Sequence, residues 1–374
     1  MDRPILSRLA TAATYFLITL FGMGLILFAP EMSKAASDGL FMCLTMLIPS
    51  MFPFFVLSSL VISTGMAQKL SKAFAPLMSR LFALPGECSA AVILGLVGGY
   101  PTGAKTAFEL YDKGLCDARQ CQRLLSFCSN CGPAFIFSVI GASMFGSVKA
   151  GALLYLCHVL SALALGMLGG LFSKNKTVKS HRESTPGLPL YSALPGTVKS
   201  SFASMLDVCA FVIFFSCFTA FLSRCGITSA IASSLPFKEN GLSQAFVHGL
   251  LEMTGGTAAL SSISTLSFPK AMAFCAFFTG WGGISVHCQT AALRGSRPVS
   301  LLPYIKGKLL HGVLSAVLCY FAALPMAGTA ACLSVYTDGT YIASPAYFMA
   351  LMSLYLLAAF LLTVLLSMPD RKKK

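Results

Sequence analysis

Two short stretches pair charged side chains with helix-breaking residues. GLVGGYPTGAKTAFEL, from Gly95, sets Lys105 and Glu109 just after Gly98–Gly99–Tyr100–Pro101–Thr102–Gly103. GLLEMTGGTA, from Gly249, sets Glu252 just before Met253–Thr254–Gly255–Gly256. SNCGP, with Asn130 and Gly132, and TGWGGISVHCQ, with Gly283, Ser285, His287 and Gln289, add polar groups beside two more breaks. Three familiar chemistries fit poorly. GGYPTGAKT nearly matches the phosphate-binding G-x-x-x-x-G-K-[ST], but Ala104 separates Gly103 from Lys105 and turns the lysine by roughly 100°. Cys128 and Cys131 have metal-ligand spacing, but one such pair needs His287 and Cys288 brought alongside, so no metal and no cofactor are expected. His287 and Cys288 are the only local hint of a nucleophile and base, and adjacent helix residues do not face each other, so an enzyme is not expected.

The chain that carries these residues is an integral membrane protein by composition. Of its 374 residues 56% are hydrophobic and 11% charged, with a mean hydropathy of +0.77. Globular chains are about 25% charged. The net charge of +14 reads as Lys and Arg gathered on one side of a bilayer rather than as a nucleic-acid surface. The N-terminal apolar run is long enough to span and lacks a clear cleavage site, so it is read as a retained helix. The 14 cysteines are scattered, several in apolar segments (Cys43, Cys157, Cys217, Cys319), where they act as small apolar residues.

A membrane helix needs about 20 apolar residues. Spans are expected at 11–30, 40–64, 150–172, 203–224, 304–327 and 345–367, with two interrupted spans at 118–146 and 269–293. Segments 88–113 and 241–265 are too short to cross twice, break in the middle, and read as re-entrant hairpins. Residues 67–84 read as an amphipathic interfacial helix. The fold class is therefore an all-α polytopic membrane protein of about eight transmembrane helices plus two re-entrant hairpins in an inverted repeat. Its divisions are an N-terminal helix (1–36), a first repeat (37–172), a cytoplasmic linker (173–200), a second repeat (201–328), and a C-terminal helix with a basic tail (329–374). The repeat rests on order and offset. Gly95 answers Gly249 at an offset of 154, and Phe127 answers Phe274 at 147. With both termini cytoplasmic, one face collects 22 of the 27 Lys and Arg residues, leaving Lys34, Lys149, Arg224, Lys238 and Lys270 opposite.

Broken backbone at membrane depth is tolerated only inside protein or along a wet cavity, and matched breaks in two repeats point to a transporter's binding site. Each break starts a half-helix whose positive end and free N–H groups suit an anion. Thr102, Pro133, Thr254 or Thr257, and Ser285 are the expected caps or first-turn residues. The substrate-binding set expected is Gly99, Tyr100, Thr102, Gly103, Lys105, Asn130, Gly132, Glu252, Thr254, Gly255, Gly256, Gly283, Ser285 and Gln289. Lys105 is expected to pair with Glu252 between the hairpins, or to hold the ligand while Glu252 couples an ion. The plainer readings are that Lys105 reaches the cytoplasm or pairs with Glu109, that Glu252 sits at a wetted helix end, and that Asn130, His287 and Gln289 only bond freed backbone.

GGYPTGAKTAFELYDKG, SFCSNCGPAFIFSVIGASMFG and FTGWGGISVHCQTA resemble the YlbJ-type sporulation integral membrane proteins with a nucleoside-recognition Gate domain, from about Met42 to Gly328. Gate-domain proteins in turn look like distant relatives of concentrative nucleoside transporters. The resemblance implies a transport-type protein in the bacterial cell membrane, at the outer forespore membrane if the sporulation role holds, moving dipicolinic acid. The partners expected are a small anionic substrate, the lipid bilayer and an H+ or Na+ coupling ion, with no nucleic acid; a homo-oligomer stays open. The alternatives are a non-transporting scaffold of sporulation and a nucleoside-type transporter, the latter weakened because the hairpins lack the acidic, polar ligand residues of nucleoside transporters.

Overall fold

The computed structural model describes residues 3–133, 135–173, 187–237 and 239–326. The span expected at 345–367, the basic tail and residues 174–186 of the linker lie outside the described residues. Every regular element described is helical. Four helices are long and apolar enough to cross a membrane, at Val148–Leu171, Leu190–Arg224, Phe268–Arg294 and Leu302–Met326, or six if each of two sharply bent pairs is one span. Length and composition thus support four to six spans. The expected eight included 345–367, and also 118–146, whose second part is a wide π-helical segment, Phe135–Met144.

Helix α1 (Arg3–Leu27) turns through 96° at Phe28 into α2 (Ala29–Met42). The expected spans, 11–30 and 40–64, left residues 31–39 between them, but Pro30 suits a first helical turn and Glu31 faces the positive helix end. A π turn, Cys43–Leu47, leads into α3 (Ile48–Ser63). The amphipathic α4 (Met66–Leu77) follows, and the helical stretch Lys72–Phe82 meets Gly86–Gly98 at 95°. That second stretch includes α5 (Ser89–Gly98), the first arm of a helical pair completed by α6 (Thr102–Asp112). Helix α7 (Ala118–Cys128) opens with a capping box between Asp117 and Gln120 and ends at Ser129, whose extended backbone breaks the helix before Phe135–Met144.

Ser147 caps α8 (Val148–Leu171). Helix α9 (Leu190–Arg224) runs 35 residues, so positions 190–200, expected as linker, are its first turns. Pro195 removes one backbone donor there without ending the helix. A short α10 (Ile227–Ser233) precedes the second pair, α11 (Leu242–Leu251) and α12 (Met253–Ser261). Helices α13 (Phe268–Trp281) and α14 (Gly283–Arg294) form one span broken at Gly282 and Gly283, whose φ values of +86° and +81° suit only glycine. Helix α15 (Leu302–Ala323) closes the described fold.

The two halves use corresponding elements in corresponding contacts. The α5/α6 pair shares one apolar core with α7 of its own half and with Leu293, Leu301 and Tyr304 of the other. The α11/α12 pair shares a second core with α13 of its own half and with Ile136, Ile140 and Leu154 of the other. Each pair thus packs on the first part of its own broken helix and on the second part of its counterpart's. A third core joins α3 to α9. The cysteines expected to fill apolar space do so at Cys43, Cys157 and Cys319, which are buried.

Candidate functional site

All four breaks lie where the sequence places them, and they touch. In the first half a Cβ on Gly99 would meet the Gly132 backbone at 2.8 Å, so the turn of the α5/α6 pair rests on the break after α7. In the second half a Cβ on Gly283 would meet the Glu252 backbone at 3.0 Å, the equivalent contact. Tyr100 joins the two. Its hydroxyl donates to the Thr279 carbonyl at 2.9 Å and lies 3.3 Å from that of Gly280, while its ring lies against Gly282. The hydroxyl thereby partners carbonyls freed where α13 stops, as buried backbone requires.

The caps differ from expectation. Thr102 is the first residue of α6, and Pro101 stands at the cap with no side-chain bond; the Thr102 hydroxyl is buried without a partner. Ser285 likewise does not cap α14, whose cap is Gly282; it accepts instead from Gln289 at 3.4 Å. Neither Thr254 nor Thr257 caps α12. Glu252 does so, its carboxylate accepting from the Thr254 N–H at 2.9 Å and the Gly255 N–H at 2.7 Å. A carboxylate beats a hydroxyl here because its charge also faces the helix dipole. Pro133 does start a helical segment, as expected, with the Gly132 carbonyl accepting from Ile136 at 3.2 Å.

The expected pairing of Lys105 with Glu252 is not formed. Lys105 pairs with Glu109 at 2.5 Å, one helical turn on, and with the Ser59 hydroxyl, which itself bonds Glu109 at 3.0 Å. The local partner wins because it lies on the same helix face, while Glu252 is engaged by its own helix start. Gly103 and Gly256 are packing positions. Gly103 lies against the Cys128 carbonyl and Gly95, and Gly256 against Gly249 and the Phe278 ring. Asn130 is fully buried; its amide donates to the Phe127 carbonyl at 2.9 Å and its Oδ1 has no partner. Gln289 and Ser285 are buried in α14, and Gly255 is exposed. His287 packs between the rings of Trp281 and Tyr304, and neither ring nitrogen finds a hydrogen bond. Among the described residues no three of His, Cys, Asp and Glu gather as metal ligands.

The sequence reading missed the most buried Lys or Arg among the described residues. It counted Lys308, near the start of the expected span 304–327, with the Lys and Arg of the cytoplasmic face, but the side chain is fully buried in α15. Its Nζ donates to the Ser129 carbonyl at 2.6 Å, lies 2.9 Å from His311 Nδ1, and sits 5.0 Å above the Tyr100 ring. The signal was present: Tyr304, Lys308, His311 and Ser315 stand at steps of four, three and four, one buried polar stripe on an apolar helix.

Comparison with known proteins fits this architecture. Residues 44–172 match the family model Gate, described as nucleoside recognition. The chain is 28% identical over 331 residues to the sporulation integral membrane protein YlbJ of Bacillus subtilis (strain 168), an alignment covering 82% of this chain and 80% of that protein. No solved structure matches. The apolar spans and these similarities together make the chain an integral membrane protein with a Gate-type segment in its first half, similar over most of its length to a protein of sporulation.

Proposed function

We propose that this protein is a secondary transporter of a small organic anion, working by alternating access between two inverted halves whose re-entrant pairs, α5/α6 and α11/α12, open to opposite sides. One observation carries the reading: the four breaks meet, Gly99 on Gly132 and Glu252 on Gly283, with Tyr100 bridging the halves to Thr279. Helices α6 and α14 start at this crossing without side-chain caps. Their N–H groups suit an anion's oxygens, whereas Glu252 already supplies a carboxylate at the start of α12.

Dipicolinic acid, a small aromatic dianion, is the substrate proposed, with the outer forespore membrane as its place and both termini cytoplasmic. Similarity to a sporulation protein supports that choice. Uptake of labelled dipicolinate and of labelled nucleosides into proteoliposomes tests it. Saturable dipicolinate flux is expected. Nucleoside flux in its place would favour the nucleoside-recognition description of the matched family, and no flux of either would favour a scaffold.

A further inference from the structure

We propose that Lys308 is the proton-coupling residue of this transporter, taking up and releasing one proton per cycle at its Nζ, inside a buried Lys308–His311–His158 cluster that ties the two halves together. The inference rests on the transport reading and adds the coupling ion and its carrier. Lys308 and His311 belong to the second half, His158 to the first, and the two histidines stand 153 residues apart with rings 4.4 Å apart.

The hydrogen bonds fix the protons. His311 Nε2 faces the His158 carbonyl at 2.9 Å, which can only accept, so Nε2 carries the hydrogen and Nδ1 offers its lone pair to Lys308. His158 Nε2 accepts from the Cys131 N–H at 3.1 Å, so its hydrogen lies on Nδ1, which has no partner. With Lys308 protonated, both rings are neutral and Nζ holds the cluster's one positive charge. No carboxylate pairs with it among the described residues; the four ion pairs there all use other cations. The remaining titratable neighbours are Tyr100, Cys128 and Cys131 at the breaks, Tyr304 on α15 and His287 on α14. On α13, Cys275 faces Cys319, three turns further along α15, and Lys270 pairs with Glu239.

A fully enclosed ammonium leaves no room for a ligand oxygen, but a proton needs none. When the halves part and water reaches Nζ, one N–H bond breaks, the proton passes to water, and the electron pair stays on nitrogen. The neutral amine still bonds Ser129 or His311, but it loses the charge-assisted bonds to the first half, which are about twice as strong as neutral ones. Reprotonation from the opposite side restores the latch. Proton occupancy thereby sets how firmly the Tyr100–Ser129 side of the crossing is held by α15.

The test uses the full-length protein in proteoliposomes with labelled dipicolinate. Wild type should exchange labelled for unlabelled dipicolinate and also accumulate it under an imposed pH gradient. Lys308→Met and Lys308→Arg should keep exchange within about tenfold and lose accumulation, because neither releases a proton; Arg keeps the charge, so it decides the matter if Met fails to fold. Accumulation by Lys308→Arg at the wild-type level would overturn the coupling role and leave the transport reading intact. Accumulation by wild type under a sodium gradient but not under a pH gradient would also overturn it. Absence of even exchange in wild type would overturn both.

Discussion

Neutralising Lys105 should destabilise the fold, and neutralising its partner as well should restore it. The Lys105 side chain is 6% exposed and that of Glu109 27%, and both bond Ser59. Removing one member of a buried pair costs about 3–5 kcal/mol because the other is left uncompensated. Glu109 Oε1 keeps the Ser59 hydroxyl but Oε2 is buried without a partner, so Lys105→Met should fall within that range, about 3–5 kcal/mol. Lys105→Met/Glu109→Gln leaves no lone charge and should lie within about 1 kcal/mol of wild type. Equilibrium unfolding of purified protein in mixed micelles reads both values, and the cycle isolates their coupling. Dipicolinate exchange by the double variant should survive, since the charge of Lys105 is spent on Glu109. A Lys105→Met midpoint equal to wild type, or a double variant no more stable than the single, would refute the argument. A stable double variant that no longer binds dipicolinate would return Lys105 to the role of substrate counter-charge.

Other substitutions probe the same crossing. Glu252→Gln keeps the cap's shape but removes the charge behind two bonds to backbone N–H groups, and should cost about 1–2 kcal/mol by the same unfolding assay. Gly103→Leu and Gly256→Leu should yield little folded protein by size-exclusion chromatography, because each new side chain would enter backbone, Cys128 in one case and Gly249 in the other. Single cysteines at the exposed positions Arg80 and Lys113 should label from one side of the membrane, and those at Asn240 and Ser264 from the other. Labelling of either couple from opposite sides would mean that its helix pair crosses.

The breaks were legible because the residues that make them have few other uses. Gly98–Gly99 with Pro101 cannot continue a helix, and Gly282–Gly283 need positive φ. What failed was the choice of partners. Glu252 follows an apolar arm and, after Met253, precedes the four residues Thr254, Gly255, Gly256 and Thr257, so a local cap and a distant ion pair look alike in sequence; only its proximity to the Thr254 and Gly255 N–H groups decides. Lys308 was lost because, at the start of the expected span 304–327, it was grouped with Arg297 and Lys306 on the cytoplasmic face, although its spacing from Tyr304 and His311 places it on the buried stripe. The start of α2 was missed because Glu31, Lys34 and Asp38 lower the apolar signal without preventing a helix.

A structure of the protein determined with dipicolinate bound tests the central claim most directly. Density for the ligand is predicted at the crossing, with its carboxylates within hydrogen-bonding distance of the N-termini of α6 and α14 and its ring near Tyr100. Dipicolinate bound away from the four breaks, with Tyr100 still on Thr279 and Gly99 on Gly132, would contradict it.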